Sequence, residues 1–224
     1  MDNEFYDVNS SWESAGEPKR QRFPFVKEGL NSIAIAELLR LIAVGVAAPL
    51  AAILLKSEER SFILVFLIAI GVLAAIIISL VFTIKGLSTA SHEREEFQKL
   101  LTIYIIALVL NFGSNSVEDS LVLSLLIDLA KVIFDMMYIL KLLSSVAEVL
   151  SLAGQYEEST KVSYFRKLVI VFYILSFVLS SFLVVALIEE NLSVYNAVII
   201  ILAIISVVIA IGTYKSLRGA ADAL

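Results

Sequence analysis

The chain has 224 residues, 59% of them hydrophobic and only 17% charged, with a mean hydropathy of +0.92 and a net charge of −5. That balance excludes an ordinary soluble domain. The absence of cysteine removes disulfides, thiolate metal sites and thiol catalysis together.

Residues 1–32 come first and mix Asp, Glu, Asn and Ser with scattered Phe5, Tyr6 and Trp12. No periodicity is sustained there, so a disordered polar tail on the cytoplasmic side is expected. It lacks the form of a signal peptide, because the first apolar run begins only near Ile33, after residues of both charge signs. The stretch Lys19-Arg-Gln-Arg-Phe-Pro-Phe25 places cations and aromatics beside that run. It reads as a topogenic signal with interfacial anchors, with contact to anionic lipid as the alternative.

Six apolar runs follow, roughly Ile33–Leu55, Phe62–Ile84, Phe97–Phe112, Leu121–Val149, Leu168–Ile188 and Val194–Tyr214. About 20 apolar residues cross a bilayer as a helix. The third run is the shortest, its apolar core spanning Leu100 to Leu110, and a tilted or partly re-entrant helix is the alternative there. Pro49 is expected to kink the first run. Ala43, Ala47 and Ala51 beside Gly45, and Gly71 with Ala75, offer small faces for close helix packing.

The basic residues give the topology. With six spans, one side carries Lys19, Arg20, Arg22, Lys27, Lys85, Arg94, Lys99, Lys161, Arg166, Lys167, Lys215 and Arg218, while the other carries only Lys56 and Arg60. Cytoplasmic loops retain Lys and Arg, so both termini are expected inside a cell membrane. The fold expected is therefore all-α and polytopic. It comprises a domain over 33–217 and a short cytoplasmic end at 218–224.

The spans also pair. Phe97-Gln-Lys-Leu-Leu opens the third and Phe165-Arg-Lys-Leu-Val the fifth, with Ala36-Glu-Leu-Leu-Arg a looser match in the first. Their partners end on Ile84-Lys-Gly-Leu-Ser, Leu140-Lys-Leu-Leu-Ser and Tyr214-Lys-Ser-Leu-Arg. Three parallel helical-hairpin repeats follow, at about 33–84, 97–149 and 165–214.

Charges inside the runs are the candidate site. Glu37 and Arg40 share one face of the first span, and Asp128, Lys131 and Asp135 share one face of the fourth, extended by Tyr138. An ionisable group in hydrocarbon costs at least about 2.5 kcal/mol, so these side chains should face protein or water. From a rise of about 1.5 Å per residue, Arg40 and Asp135 reach similar depth and are expected to approach one another. Lys131 would be shared by Asp128 and Asp135, and Glu37 would lie near the level of Lys141. A register-fixing ion network is the first reading, and a translocation or proton-relay site the second.

No paired-histidine zinc helix, phosphate-binding Gly-rich loop or Gly-x-Ser-x-Gly turn occurs, so no catalytic, cofactor-binding or metal-binding residues are assigned. His92 has no second histidine or cysteine to join it, and no basic aromatic surface suits nucleic acid. Ile84-Lys-Gly-Leu-Ser with Phe97, followed by Leu143-Ser-Ser-Val-Ala, Gly154 and Phe165, resembles an uncharacterised, mainly archaeal family of multi-spanning membrane proteins. The resemblance covers about Phe62 to Leu217. It implies a helical membrane fold and a prokaryotic source, and no site residues. The expected function is a non-enzymatic scaffold or accessory subunit in the lipid bilayer, as a homo-oligomer or with another membrane protein. The alternative is a small transporter or channel built on Glu37, Arg40, Asp128, Lys131 and Asp135, its substrate unknown.

Overall fold

The computed structural model describes residues 22–43, 45, 62–113, 121–188 and 192–224. The tail before Arg22, Ala47, Pro49, Ala51, the turn at Lys56–Ser61, Glu118 with Asp119, and most of the turn after Ile188 lie outside them. The described residues form six α-helices and no strand: α1 Pro24–Ile42, α2 Phe62–Ser91, α3 Glu95–Gly113, α4 Leu121–Leu152, α5 Tyr156–Ile188 and α6 Leu192–Ala223. Three stretches among them are long and apolar enough to cross a membrane: Phe66–Ser91 in α2, Tyr156–Ser180 in α5, and Leu192–Ala223, which is α6. The other helices are interrupted by charge, as at Glu37 and Arg40 in α1 and at Lys131 and Asp135 in α4.

Two helices start well before their apolar runs, α1 at Pro24 rather than Ile33 and α5 at Tyr156 rather than Leu168. The expected tail therefore overlaps α1 over residues 24–32. These ends are amphipathic rather than apolar, so a hydropathy reading passes over them. In α1, Val26, Gly29, Leu30 and Ile33 are buried at helical spacing, while Phe25 and Glu28 are exposed between them. Pro24 occupies the first turn, where its missing N–H is not needed. Phe23 supplies no side-chain cap, and the Val26 N–H instead donates to Glu93 Oε2 at 2.9 Å, from the turn between α2 and α3. A carboxylate at a helix N-terminus satisfies an orphan donor and opposes the helix dipole.

The α4–α5 connection is equally local in origin. Gly154 takes φ 77°, a left-handed conformation that other residues adopt at a cost, and the Gln155 N–H reaches back to Leu150 O at 2.8 Å. Glu157 and Glu158 then open α5 at the positive end of its dipole.

Consecutive helices pack side by side, and α6 packs on α1, so the six close a ring in chain order, with a thinner contact between α4 and α6. The core lies toward the end that carries the connections at 92–94 and 153–155. There Leu30, Leu87, Phe97, Leu100, Leu142, Leu143, Leu150 and Leu217 are fully buried. Leu87, Leu143 and Leu217 hold equivalent places in the three similar helix endings noted above. Polar contacts tie the ring at this level. Arg218 Nη1 donates to Asn31 Oδ1 at 2.8 Å, joining the last helix to the first. Arg94 pairs with Glu148, Arg166 Nη1 donates to Ser144 Oγ at 2.8 Å, and Ser159 Oγ donates to Ala147 O at 2.7 Å.

The tightest approach is between α1 and α2. A Cβ on Gly29 would stand 2.4 Å from Gly86 O, and one on Gly86 would stand 2.6 Å from Gly29 O, so the two backbones touch where only hydrogen fits. Overpacking of this kind costs about 1–3 kcal/mol. Gly29→Ala and Gly86→Ala are each expected to lower the thermal midpoint of the detergent-solubilised protein. Gly71→Ala, whose Cβ would meet nothing within 4 Å, should not lower it.

Candidate functional site

Above the leucine-filled end the helices part around a partly open cavity of about 490 Å³. Every helix contributes to its wall. α1 brings Glu37 and Arg40; α2 brings Ile76 and Leu80; α3 brings Tyr104; α4 brings Asp135 and Tyr138; α5 brings Tyr173; and α6 brings Ser206, Ile209 and Thr213. The lining is mostly aliphatic and aromatic, with a few polar groups set into it. Small-molecule sites generally have that character.

Glu37 is buried and accepts from Arg40 Nη1 at 3.1 Å along its own helix. Arg40 also donates through Nη2 to the Tyr104 hydroxyl at 3.3 Å, a long contact that ties α1 to α3. The ring of Tyr104 lies against that of Tyr138, with centroids 5.1 Å apart and planes tilted by 43°. This separation suits aromatic quadrupoles better than a face-to-face stack. Below the cavity, Thr83 Oγ1 donates to Ser79 O at 2.9 Å within α2, which accounts for that buried hydroxyl locally.

Asp135 behaves differently. Its carboxylate faces the cavity, lies within electrostatic reach of Arg40 and Lys131, and forms no ion pair or hydrogen bond among the described residues. Two hydroxyls in the wall are likewise unpartnered there: Tyr138 Oη, on a residue only 4% exposed, and Thr213 Oγ1, on one only 2% exposed. Buried polar groups nearly always find a partner, because leaving one unmade costs about 1–3 kcal/mol. All three residues line the cavity, the two hydroxyls enclosed in its wall and Asp135 exposed.

Of the charged cluster expected from sequence, Glu37, Arg40 and Asp135 meet at the cavity. The direct Arg40–Asp135 pair does not form, because Glu37, one turn away on the same helix, is nearer to the guanidinium. Lys131 lies one turn from Asp135 on α4, outside the wall, and is engaged in an interaction of its own. Asp128 is on α4, and its side chain lies outside the described residues. His92 is exposed in the α2–α3 turn, with Nδ1 2.9 Å from Ser88 O and its ring 6.0 Å from that of Phe25. Tyr104, Tyr173 and Thr213 were not singled out by sequence reasoning. Each sits within an apolar run as an ordinary span residue, and their one signal is a hydroxyl that needs a partner away from water.

Compared with known protein families, with curated proteins and with solved structures, the chain matches none. The resemblance noted from its sequence therefore adds nothing to the site, which stands on its own geometry.

The arrangement separates two carboxylates by role. Removing one partner of a buried ion pair strands the other, at about 3–5 kcal/mol when burial is complete and less where the partner reaches a cavity, as Arg40 does. Glu37→Gln is expected to destabilise the protein by about 2 kcal/mol, read as a lower thermal midpoint. Asp135→Asn, which breaks no bond among the described residues, should change stability by less than about 0.5 kcal/mol.

Proposed function

We propose that this chain is a multi-pass membrane protein that binds a small solute in the cavity between its helices and carries it across the bilayer. The observation that carries the reading is Asp135, a carboxylate facing the cavity with no ion pair or hydrogen bond among the described residues. Ionisable groups at membrane depth are costly and commonly mark a pathway. An ion network that only sets helix register accounts for Glu37 and Arg40, which bond each other, and leaves Asp135 without a role.

In this reading all six helices cross a prokaryotic cell membrane, with both termini cytoplasmic. The spans α1 and α4 bring Glu37, Arg40 and Asp135 to the cavity, so they need less apolar sequence than the lipid-facing α2, α5 and α6. Three hairpin repeats support the ring: the equivalent Leu87, Leu143 and Leu217 are all fully buried at the same end. Those leucines lie between the cavity and the end of the bundle where the connections and flanking helix ends carry Arg94, Lys161 and Arg218. The cavity is therefore shut toward the cytoplasm in this conformation and reached from the opposite side.

The chain is free of cysteine, so single cysteines can be placed cleanly. In intact membranes, Asp135→Cys and Ser206→Cys should react with a membrane-impermeant thiol reagent added from the face opposite the basic connections. Leu87→Cys, Leu143→Cys and Leu217→Cys should be protected from both faces. Protection at 135 and 206 from both faces, with full reactivity after denaturation, would refute the aqueous cavity.

A further inference from the structure

From the same cavity we infer that the solute is a small organic cation, a protonated or quaternary amine. This rests on the cavity being a solute site and adds its chemical class. The charges facing it are Glu37, Arg40 and Asp135, with Lys131 one turn beyond Asp135 outside the wall. Arg40 is already held by Glu37 and Tyr104, so its positive charge is matched within the protein. Asp135 is the charge left over in the wall, and it is negative. An anionic solute would meet that carboxylate and would have to take Arg40 from Glu37.

The rest of the wall narrows the class. Tyr104, Tyr138 and Tyr173 come from three different helices, and the first two already stand ring against ring. Aromatic faces attract cations through the negative charge of their ring faces. Between them the surface is aliphatic, at Ile76, Leu80, Ile139 and Ile209, which suits the carbon skeleton of an amine and not the hydration shell of a metal ion. A volume of about 490 Å³ lies within the range of roughly 300–1,000 Å³ usual for pockets that enclose whole small molecules.

The test uses the full chain in nanodiscs of phosphatidylglycerol, whose head groups contain no amine. Three probes share one ring and differ in charge: benzyltrimethylammonium, benzyl alcohol and benzoate. Binding is read by calorimetry against empty nanodiscs. Benzyltrimethylammonium should bind saturably, at least about 10-fold more tightly than benzoate, and lose about 10-fold or more in Asp135→Asn and in Tyr138→Leu. Equal affinity for benzoate, or no change in an Asp135→Asn protein with an unaltered thermal midpoint, would overturn the cation assignment. Cavity-filling Ala210→Trp separates the two claims. If benzyl alcohol or benzoate binds best and Ala210→Trp abolishes it, the solute cavity stands and the cation class falls. If no probe binds to a folded protein, or Ala210→Trp leaves binding intact, both fall.

Discussion

Close packing at one end of the ring is the constraint on which the rest of the structure depends. α1 and α2 meet backbone to backbone at Gly29 and Gly86, a contact that admits no side chain. Around it, leucines from several helices are fully buried. With these ends clamped, small differences in helix direction grow with distance. The bundle is filled at Leu87 and Leu217 and stands open one or two turns away at Leu80 and Ala210. The cavity follows from the clamp, since a ring held tightly at one level needs side chains of the right size to stay closed at the next. Small or short residues, Ala107, Ala210 and Ser206, occupy several of those places.

The polar contacts at the clamped end act on a different quantity. Arg218–Asn31, Arg94–Glu148 and Arg166–Ser144 bridge helices at the half-exposed rim, where each contributes at most about 1 kcal/mol. Their value lies in direction, for each admits one rotation of its helices. The Glu93 cap on Val26 does the same for the start of α1. Apolar packing sets how closely the helices approach, and these bonds set which faces turn inward. Glu37 and Arg40 consequently line one space with Asp135, more than ninety residues further along the chain.

Within that space the division of labour is electrostatic. Glu37 and Arg40, one turn apart, neutralise each other and anchor Tyr104. That leaves the cavity wall with one carboxylate outside any ion pair among the described residues and three tyrosine rings from three helices.

Much of this was legible in the sequence, and the reasons are particular. Hydropathy alone gives the runs Phe62–Ile84 and Val194–Tyr214, which lie within helices Phe62–Ser91 and Leu192–Ala223, because an unbroken apolar run of that length has few other solutions. The spacing of Glu37 with Arg40 is enough to join them, since a helix brings residues three apart onto one face whatever surrounds it. The starts of α1 and α5 were hidden because polar residues on an exposed face mask a buried stripe. Depth arithmetic brings Arg40 and Asp135 to a similar level but cannot rank Asp135 against Glu37 as the partner of Arg40. Local geometry along one helix wins that competition, and only the packed structure shows it. Tyr104, Tyr173 and Thr213 carry no sequence signal of their own. Periodicity says which residues share a helix face, while which face turns toward which neighbour is settled by contacts between distant segments, and the cavity exists only where those faces meet.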